Sequence, residues 1–211
     1  MSSFLRPLAY RYRWIYDTVT AVSSLSVGGV ESLRSLGLDV LRNRLPSGAA
    51  VLDLCCGSGE AAAPWLAEGF AVTGLDISPR ALELAAERHP GMTRVEGLAE
   101  DPPLPDGRYA ALQLSVALHE FPRADRERVL KRSLQLLQPG GWLVVVDLHP
   151  AGPWLRVPQR LFCALFETDT ATAMLEDDLP GQLRQLGFIG VEQELLAGKA
   201  LQRITAQRPS N

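Results

Sequence analysis

Two acids and a run of small residues carry the most evident chemistry in this 211-residue chain. In Val51-Leu52-Asp53-Leu54-Cys55-Cys56-Gly57-Ser58-Gly59-Glu60 an apolar strand ends in small residues and opens into a helical pattern that reaches Ala67. Small residues at such a turn let a ligand approach the backbone. Gly57, Gly59 and Ala62 also satisfy GxGxx(G/A), so the glycines alone suit the pyrophosphate of a dinucleotide equally well. Asp53 shifts the balance, because a carboxylate in the strand just before the loop repels pyrophosphate and attracts an ammonium group. The loop is then suited to the amino-acid end of a ligand. Asp76, in Gly74-Leu75-Asp76-Ile77-Ser78, closes the next strand, where a carboxylate can accept hydrogen bonds from both hydroxyls of a ribose. Its alternative use is as an acid at a helix N-terminus, stabilised by the helix dipole.

Two histidines follow later strands, at the edge where doubly wound sheets place their ligands. His119 lies in Leu118-His119-Glu120-Phe121 and His149 in Asp147-Leu148-His149-Pro150. With an ordinary pKa near ~6.5, either can take a proton near neutrality. His119 also fits a capping role. Cys55, Cys56 and Cys163 form no CxxC pair and have no His at zinc-ligand spacing, so no metal is expected and Cys55 and Cys56 read as small core residues.

The elements that position these residues alternate. From residue 49 onward β-branched runs alternate with helical patterns, the pattern of parallel strands joined by crossover helices. Strands are expected at Ala50 to Leu54, Ala71 to Asp76, Thr93 to Glu96, Tyr109 to Leu114, Trp142 to Leu148, Ile189 to Leu196 and Ala200 to Gln207. Leu143-Val144-Val145-Val146 is apolar on both faces and belongs inside the sheet. Pro79 to Arg88, entered through Ser78, reads as a capped helix. Asp125 to Leu137 reads as another, halted by Pro139-Gly140-Gly141. The first 45 residues are helical in pattern, with a break near Ser26 to Gly29, and Arg208 to Asn211 reads as a frayed tail. The fold class expected is α/β: a Rossmann-like, seven-stranded, mostly parallel sheet with helices on both faces. A helical cap (residues 1–45) precedes the main domain (residues 46–207) in one structural unit.

Taken in order, D-x-C-C-G-S-G, then G-L-D-I-S, then a strand after P-G-G, the chain resembles the class I S-adenosylmethionine-dependent methyltransferases. Within that class it is most similar to the branch of the ubiquinone/menaquinone C-methyltransferases. The resemblance runs from about Tyr16 to Pro150. It implies S-adenosyl-L-methionine as cofactor and S-adenosyl-L-homocysteine as product. It further implies that Asp53 and the backbone of Cys55, Gly57, Ser58 and Gly59 hold the methionine end, that Asp76 holds the ribose, and that Ile77 packs on the adenine. Tyr16, with Asp17, Ser24 and Ser26, matches an element that folds over the cofactor in that branch. Where the family has an Asp for the adenine amino group this chain has Leu98, so the Ala99 backbone N–H and the Glu100 carboxylate are expected to serve instead. Ser115 occupies the place nearest the sulfonium.

Composition narrows the partners. A hydrophobic fraction of 46%, a charged fraction of 21% and a net charge of −3 are those of a globular protein and give no reason to expect nucleic acid. No apolar run approaches the ~20 residues that span a bilayer, and the expected setting is cytoplasmic. Met1 to Tyr16 is rich in Arg and free of acids, as in a transit peptide, but reads as part of the fold. Pro153 to Phe166 intersperses apolar residues with Arg156 and Arg160 where methyltransferases insert substrate-recognition elements. It suits a small, hydrophobic, quinone-like acceptor and peripheral membrane contact, or a core or dimer face. The competing readings are a methyltransferase-like binding module without turnover and a nicotinamide-dependent oxidoreductase.

Overall fold

The computed structural model describes residues 29–154, 156–157, 159 and 169–210. Tyr16, most of the expected cap and much of the Pro153 to Phe166 segment lie outside the described residues. Seven strands form one sheet in the order β3-β2-β1-β4-β5-β7-β6. They are β1 (Ala50–Leu54), β2 (Ala71–Asp76), β3 (Thr93–Glu96), β4 (Tyr109–Ser115), β5 (Leu137–Leu148), β6 (Ile189–Leu196) and β7 (Leu201–Gln207). Strands β1 to β5 run parallel, whereas β7 is antiparallel to both β5 and β6. The chain order reverses between β1 and β4, which opens a crevice at their carboxyl ends.

Helices α1 (Val30–Leu41), α2 (Ala63–Ala67) and α3 (Pro79–Arg88) precede α4 (Arg123–Leu136), α5 (Asp169–Met174) and α6 (Leu179–Gln185). Leu38 and Leu41 of α1, Trp65 of α2 and Leu82 of α3 pack on Val51, Val72, Ala111 and Val144, one face of the sheet. Val129 and Leu130 of α4 and Leu179 and Leu183 of α6 pack on Leu52, Leu112, Leu143 and Val145, the other face. The twofold alternation along each strand thus fills two cores. Leu143, Val144, Val145 and Val146 are all at most 2% exposed, and burying each contributes roughly 1.5–3 kcal/mol.

Local chemistry sets the ends of α3. The Ser78 side chain accepts from the Ala81 N–H at 3.2 Å and Pro79 takes the first helical position, where no N–H is required. Helix α4 starts at Arg123, β4 runs on to Ser115 and β7 starts at Leu201, each within two residues of expectation, and the larger departures lie at the start of β5 and after β7. Helix α4 stops at Leu136, and β5 begins at Leu137, because Tyr109 pairs with Leu137 before the Pro139-Gly140-Gly141 irregularity. The segment after β7 is not frayed at its start. The Arg208 N–H donates to the Gly141 carbonyl at 2.9 Å, and its guanidinium reaches the carbonyls of Gln135 and Leu137. Three backbone carbonyls at the end of α4 and the start of β5 therefore hold it.

Candidate active site at the carboxyl edge

The loop that leaves β1 bends through three left-handed residues, Cys55 (φ 63°), Gly57 (φ 53°) and Gly59 (φ 80°). A side chain at Gly59 would press on the His89 ring, at 2.8 Å, whereas nothing among the described residues lies within 4 Å of a Cβ placed on Gly57. Gly59 is therefore small for packing, and Gly57 faces open space where a ligand can approach its backbone. Cys56 is buried, and a Cβ on Gly74 would stand 2.7 Å from its Sγ, so the thiol fills the gap that Gly74 leaves. Burial and the neighbouring Asp76 and Asp53 carboxylates push the Cys55 thiol far up, so it is not a nucleophile at neutral pH.

Asp76 ends β2 and braces this loop. Its Oδ2 accepts from the Gly57 N–H at 2.8 Å and its Oδ1 from the Ser78 N–H at 2.9 Å. Each oxygen keeps a second lone pair for a hydroxyl donor. Beside it, Ile77 is 64% exposed and Leu98, past the paired strand β3, is 45% exposed. Two bare apolar side chains on adjacent strand ends suit a flat apolar ring. Ala99 is buried and Glu100 half-buried in the turn that follows.

Asp53 is 1% exposed and lies in register with Gln113 of β4, across the reversal in strand order. Gln113 Nε2 donates to Asp53 Oδ1 at 2.9 Å, and Oδ2 is buried without a hydrogen-bond partner among the described residues. Burial raises the carboxyl from 3.8 to about 7, against the lowering effect of the Gln113 hydrogen bond and with help from Asp76. A buried, unpartnered carboxylate oxygen is costly unless a cation or donor meets it. Above the loop, Glu60 bridges Arg34 of α1, at 2.9 Å, and Arg88 of α3, and Ser58 Oγ accepts from Arg88 at 3.4 Å.

Ser115 is half-buried at the end of β4, and Val116 after it takes φ 54°. A left-handed β-branched residue is rare and strained, and here the Val116 N–H is held to the Val146 carbonyl at 2.7 Å. His119 is 4% exposed, with Nδ1 2.7 Å from Asp147 Oδ1. Asp147, fully buried at the end of β5, also accepts the N–H groups of Ala117, Leu118 and Leu148 at 2.7–3.1 Å. Burial would raise this carboxyl, but His119 and these N–H groups outweigh it and leave it below its ordinary value. His149 is half-buried, and its Nδ1 lies 2.9 Å from the Lys199 carbonyl.

The structure thus brings Asp53, Cys55, Gly57, Ser58, Gly59 and Asp76 around one loop, with Ile77 just past the end of β2, Ala99 and Glu100 in the turn after β3, and Ser115, His119 and His149 at or just past the ends of β4 and β5. Tyr16 lies outside the described residues. Sequence reasoning missed Gln113, Trp65 and Asp147. A lone Gln inside Tyr109-Ala-Ala-Leu-Gln-Leu was the available signal for the first, since an amide in a strand covered on both faces needs a partner.

Known proteins resemble this chain in family and fold. A family model described as a methyltransferase domain matches residues 51–141. An uncharacterised methyltransferase of Synechocystis sp. is 40% identical over 208 residues, covering 98% of this chain and 97% of its own length. A demethylmenaquinone methyltransferase of Paenarthrobacter aurescens is 30% identical over 67% of this chain, a match that spans only 54% of that enzyme. Among solved structures, a 1,6-didemethyltoxoflavin-N1-methyltransferase of Burkholderia thailandensis, with bound S-adenosylhomocysteine, superposes with a TM-score of 0.63 at 20% identity. That match covers 96% of this chain and 90% of the other, and at such identity it speaks for the fold.

Proposed function

The chain belongs to the methyltransferase family, and from that premise we propose that it binds S-adenosylmethionine across the β1 and β2 ends and methylates a small, apolar acceptor. The observation that carries the cofactor reading is Asp53 Oδ2, a buried oxygen with no partner among the described residues, beside a loop where none of those residues lies within 4 Å of a Cβ placed on Gly57. An ammonium group satisfies that oxygen, and a pyrophosphate would be repelled by it. Asp76 receives the ribose hydroxyls while keeping its bond to Gly57, and Ile77 and Leu98 flank the adenine. The backbone of Cys55 to Gly59 and the N–H of Ala99 complete the site, with Glu100 near the adenine edge. Residues 46–207 then form the catalytic domain, and residues 1–45, with Tyr16, its cap.

When bound, S-adenosylmethionine supplies a methyl group on a positively charged sulfur. The protein's task is to align the acceptor with it, and alignment supplies most of the catalysis in such a displacement. Ser115 marks the nearest backbone edge. His149 is suited to take a proton from an acidic acceptor, because Nδ1–H is committed to the Lys199 carbonyl and Nε2 is left as the acceptor nitrogen of the neutral ring. His119 is suited to hold the loop after β4 in place through Asp147.

An apolar acceptor is supported by two observations. A relative at 30% identity is named for a demethylmenaquinone substrate. Beyond β5, Trp154 and Val157 are 94% and 75% exposed, with Arg156 between them, a pairing suited to a lipophilic molecule or a membrane surface. Among the described residues no helix is long and apolar enough to cross a membrane. Cys55 and Cys56 are free thiols, which suits a reducing cytoplasm. Incubation with methyl-labelled S-adenosylmethionine and lysate fractions tests the reading. Label is expected in the apolar extract, and label confined to protein or nucleic acid would overturn the small-molecule assignment.

A further inference from the structure

The amide of Gln113 can face only one way. Trp65 Nε1–H can only donate, and Gln113 Oε1 accepts from it at 2.7 Å. The amide nitrogen must point to the opposite side, where its protons go to Asp53 Oδ1 and the Ala61 carbonyl, each at 2.9 Å. Gln113 is 2% exposed and Trp65 fully buried, so water does not compete for these bonds. Helix α1 closes the remaining side, since a Cβ on Gly37 would stand 2.7 Å from Gln113 Oε1. The parallel pairing of β1 and β4 sets Asp53 and Gln113 directly opposite one another, on the face that Trp65 covers.

We infer that Gln113 is a positioning residue for the amino-acid end of the cofactor: locked by Trp65 in one amide orientation, it caps Asp53 Oδ1 and leaves Oδ2 for the ammonium. This inference rests on the cofactor reading above. Rotation of the amide would turn its oxygen toward the carboxylate and the Ala61 carbonyl and its amino group toward the Trp65 N–H, so three bonds would be lost and repulsions gained in their place. Without Gln113 both oxygens of Asp53 would be unpaired in a buried site, and the carboxyl would hold its proton to a higher pH. The residue acts through Asp53 and not on the acceptor.

Calorimetric titrations of the full-length protein with S-adenosylhomocysteine and with 5′-methylthioadenosine separate the two ideas. The second ligand keeps the nucleoside and thioether but has no ammonium. Between about pH 6 and 8.5 the wild-type affinity for S-adenosylhomocysteine should fall about tenfold per pH unit below a break near neutrality and level off above it. Gln113→Met should weaken S-adenosylhomocysteine by about tenfold or more at pH 7. It should also move the break up by about one pH unit, and leave 5′-methylthioadenosine within about twofold. Gln113→Glu keeps the side-chain shape and should shift the break in the same direction, which serves if the first variant does not fold. Equal losses for both ligands, or an unmoved break, in either folded variant would overturn the positioning role and leave the cofactor reading standing. A folded wild-type protein that binds neither ligand would overturn the cofactor reading, and the inference with it.

Discussion

Asp53→Asn should make the ligand-free protein more stable at alkaline pH while weakening its grip on the cofactor. The Asp53 carboxyl is raised from 3.8 to about 7 by burial, so the folded state holds this proton more tightly than the unfolded chain. The wild-type protein therefore loses stability as pH rises from about 4 to about 7, and the loss is complete above that window. At 1.36 kcal/mol per pH unit the interval corresponds to about 4 kcal/mol. The Asn amide, which cannot ionise, escapes this cost; some of the gain is spent on its own buried N–H groups, leaving about 2–3 kcal/mol. For a chain of this size that is a rise in Tm of roughly 5–10 °C. Differential scanning calorimetry at intervals from about pH 4.5 to 8.5 reads it directly. The gap between variant and wild type should be near zero at the acid end, widen to neutrality and then stay constant. A gap that does not change with pH, or a variant less stable at the alkaline end, would refute the assignment of a raised Asp53 carboxyl.

Three further outcomes follow from the same geometry. Asp76→Ala should weaken S-adenosylhomocysteine by roughly tenfold to a hundredfold, since hydrogen bonds to a charged group are worth about 1.5–3 kcal/mol, and hydrogen exchange at the Gly57 amide should quicken as its brace is lost. Gly57→Ala should cost only about 1–2 kcal/mol of stability, the strain of a left-handed alanine, because its Cβ meets open space, yet it should cut ligand affinity by more than about tenfold by occupying that space. Asp147→Asn should destabilise the fold by about 2–4 kcal/mol, since three backbone N–H groups and His119 lose a charged acceptor. The wild-type contribution of Asp147, whose carboxyl lies below its ordinary value, is present above about pH 4 and is lost as pH falls, so the variant should show a shallower acid-unfolding limb.

Most of the sheet was legible because strand identity is written in local patterning. β1, β2, β3 and β6 lie where alternation and turn residues place them, and α3 is bounded by a serine cap and a proline that act within a few residues. The parts that differ depend on distant partners. β5 starts at Leu137 because Tyr109, far away in sequence, pairs with it, and Arg208 is held by carbonyls of Gln135 and Leu137 that no local rule connects to the C-terminus. The site divides in the same way. Asp53, Gly57 and Asp76 stand in a contiguous pattern with a chemical reading of its own. A lone amide in a buried strand signals that Gln113 needs partners, but that these are Asp53 and Trp65 follows only from the registration of β1 with β4 and the packing of α2. His119 reads from its place after β4 as a candidate base or a capping residue, and its hydrogen bond to Asp147 emerges only when the ends of β4 and β5 are set side by side.

The most direct test of the central claim is to titrate the wild-type protein with S-adenosylhomocysteine by calorimetry in two buffers of different ionisation enthalpy. If the ammonium meets Asp53 Oδ2, binding forces the carboxyl to ionise. At about pH 6.5 the complex should then release most of one proton, and above about pH 8 nearly none. Binding without proton release at the lower pH would contradict the placement of the ammonium at Asp53. A folded protein that gives no binding at either pH would contradict the cofactor site altogether.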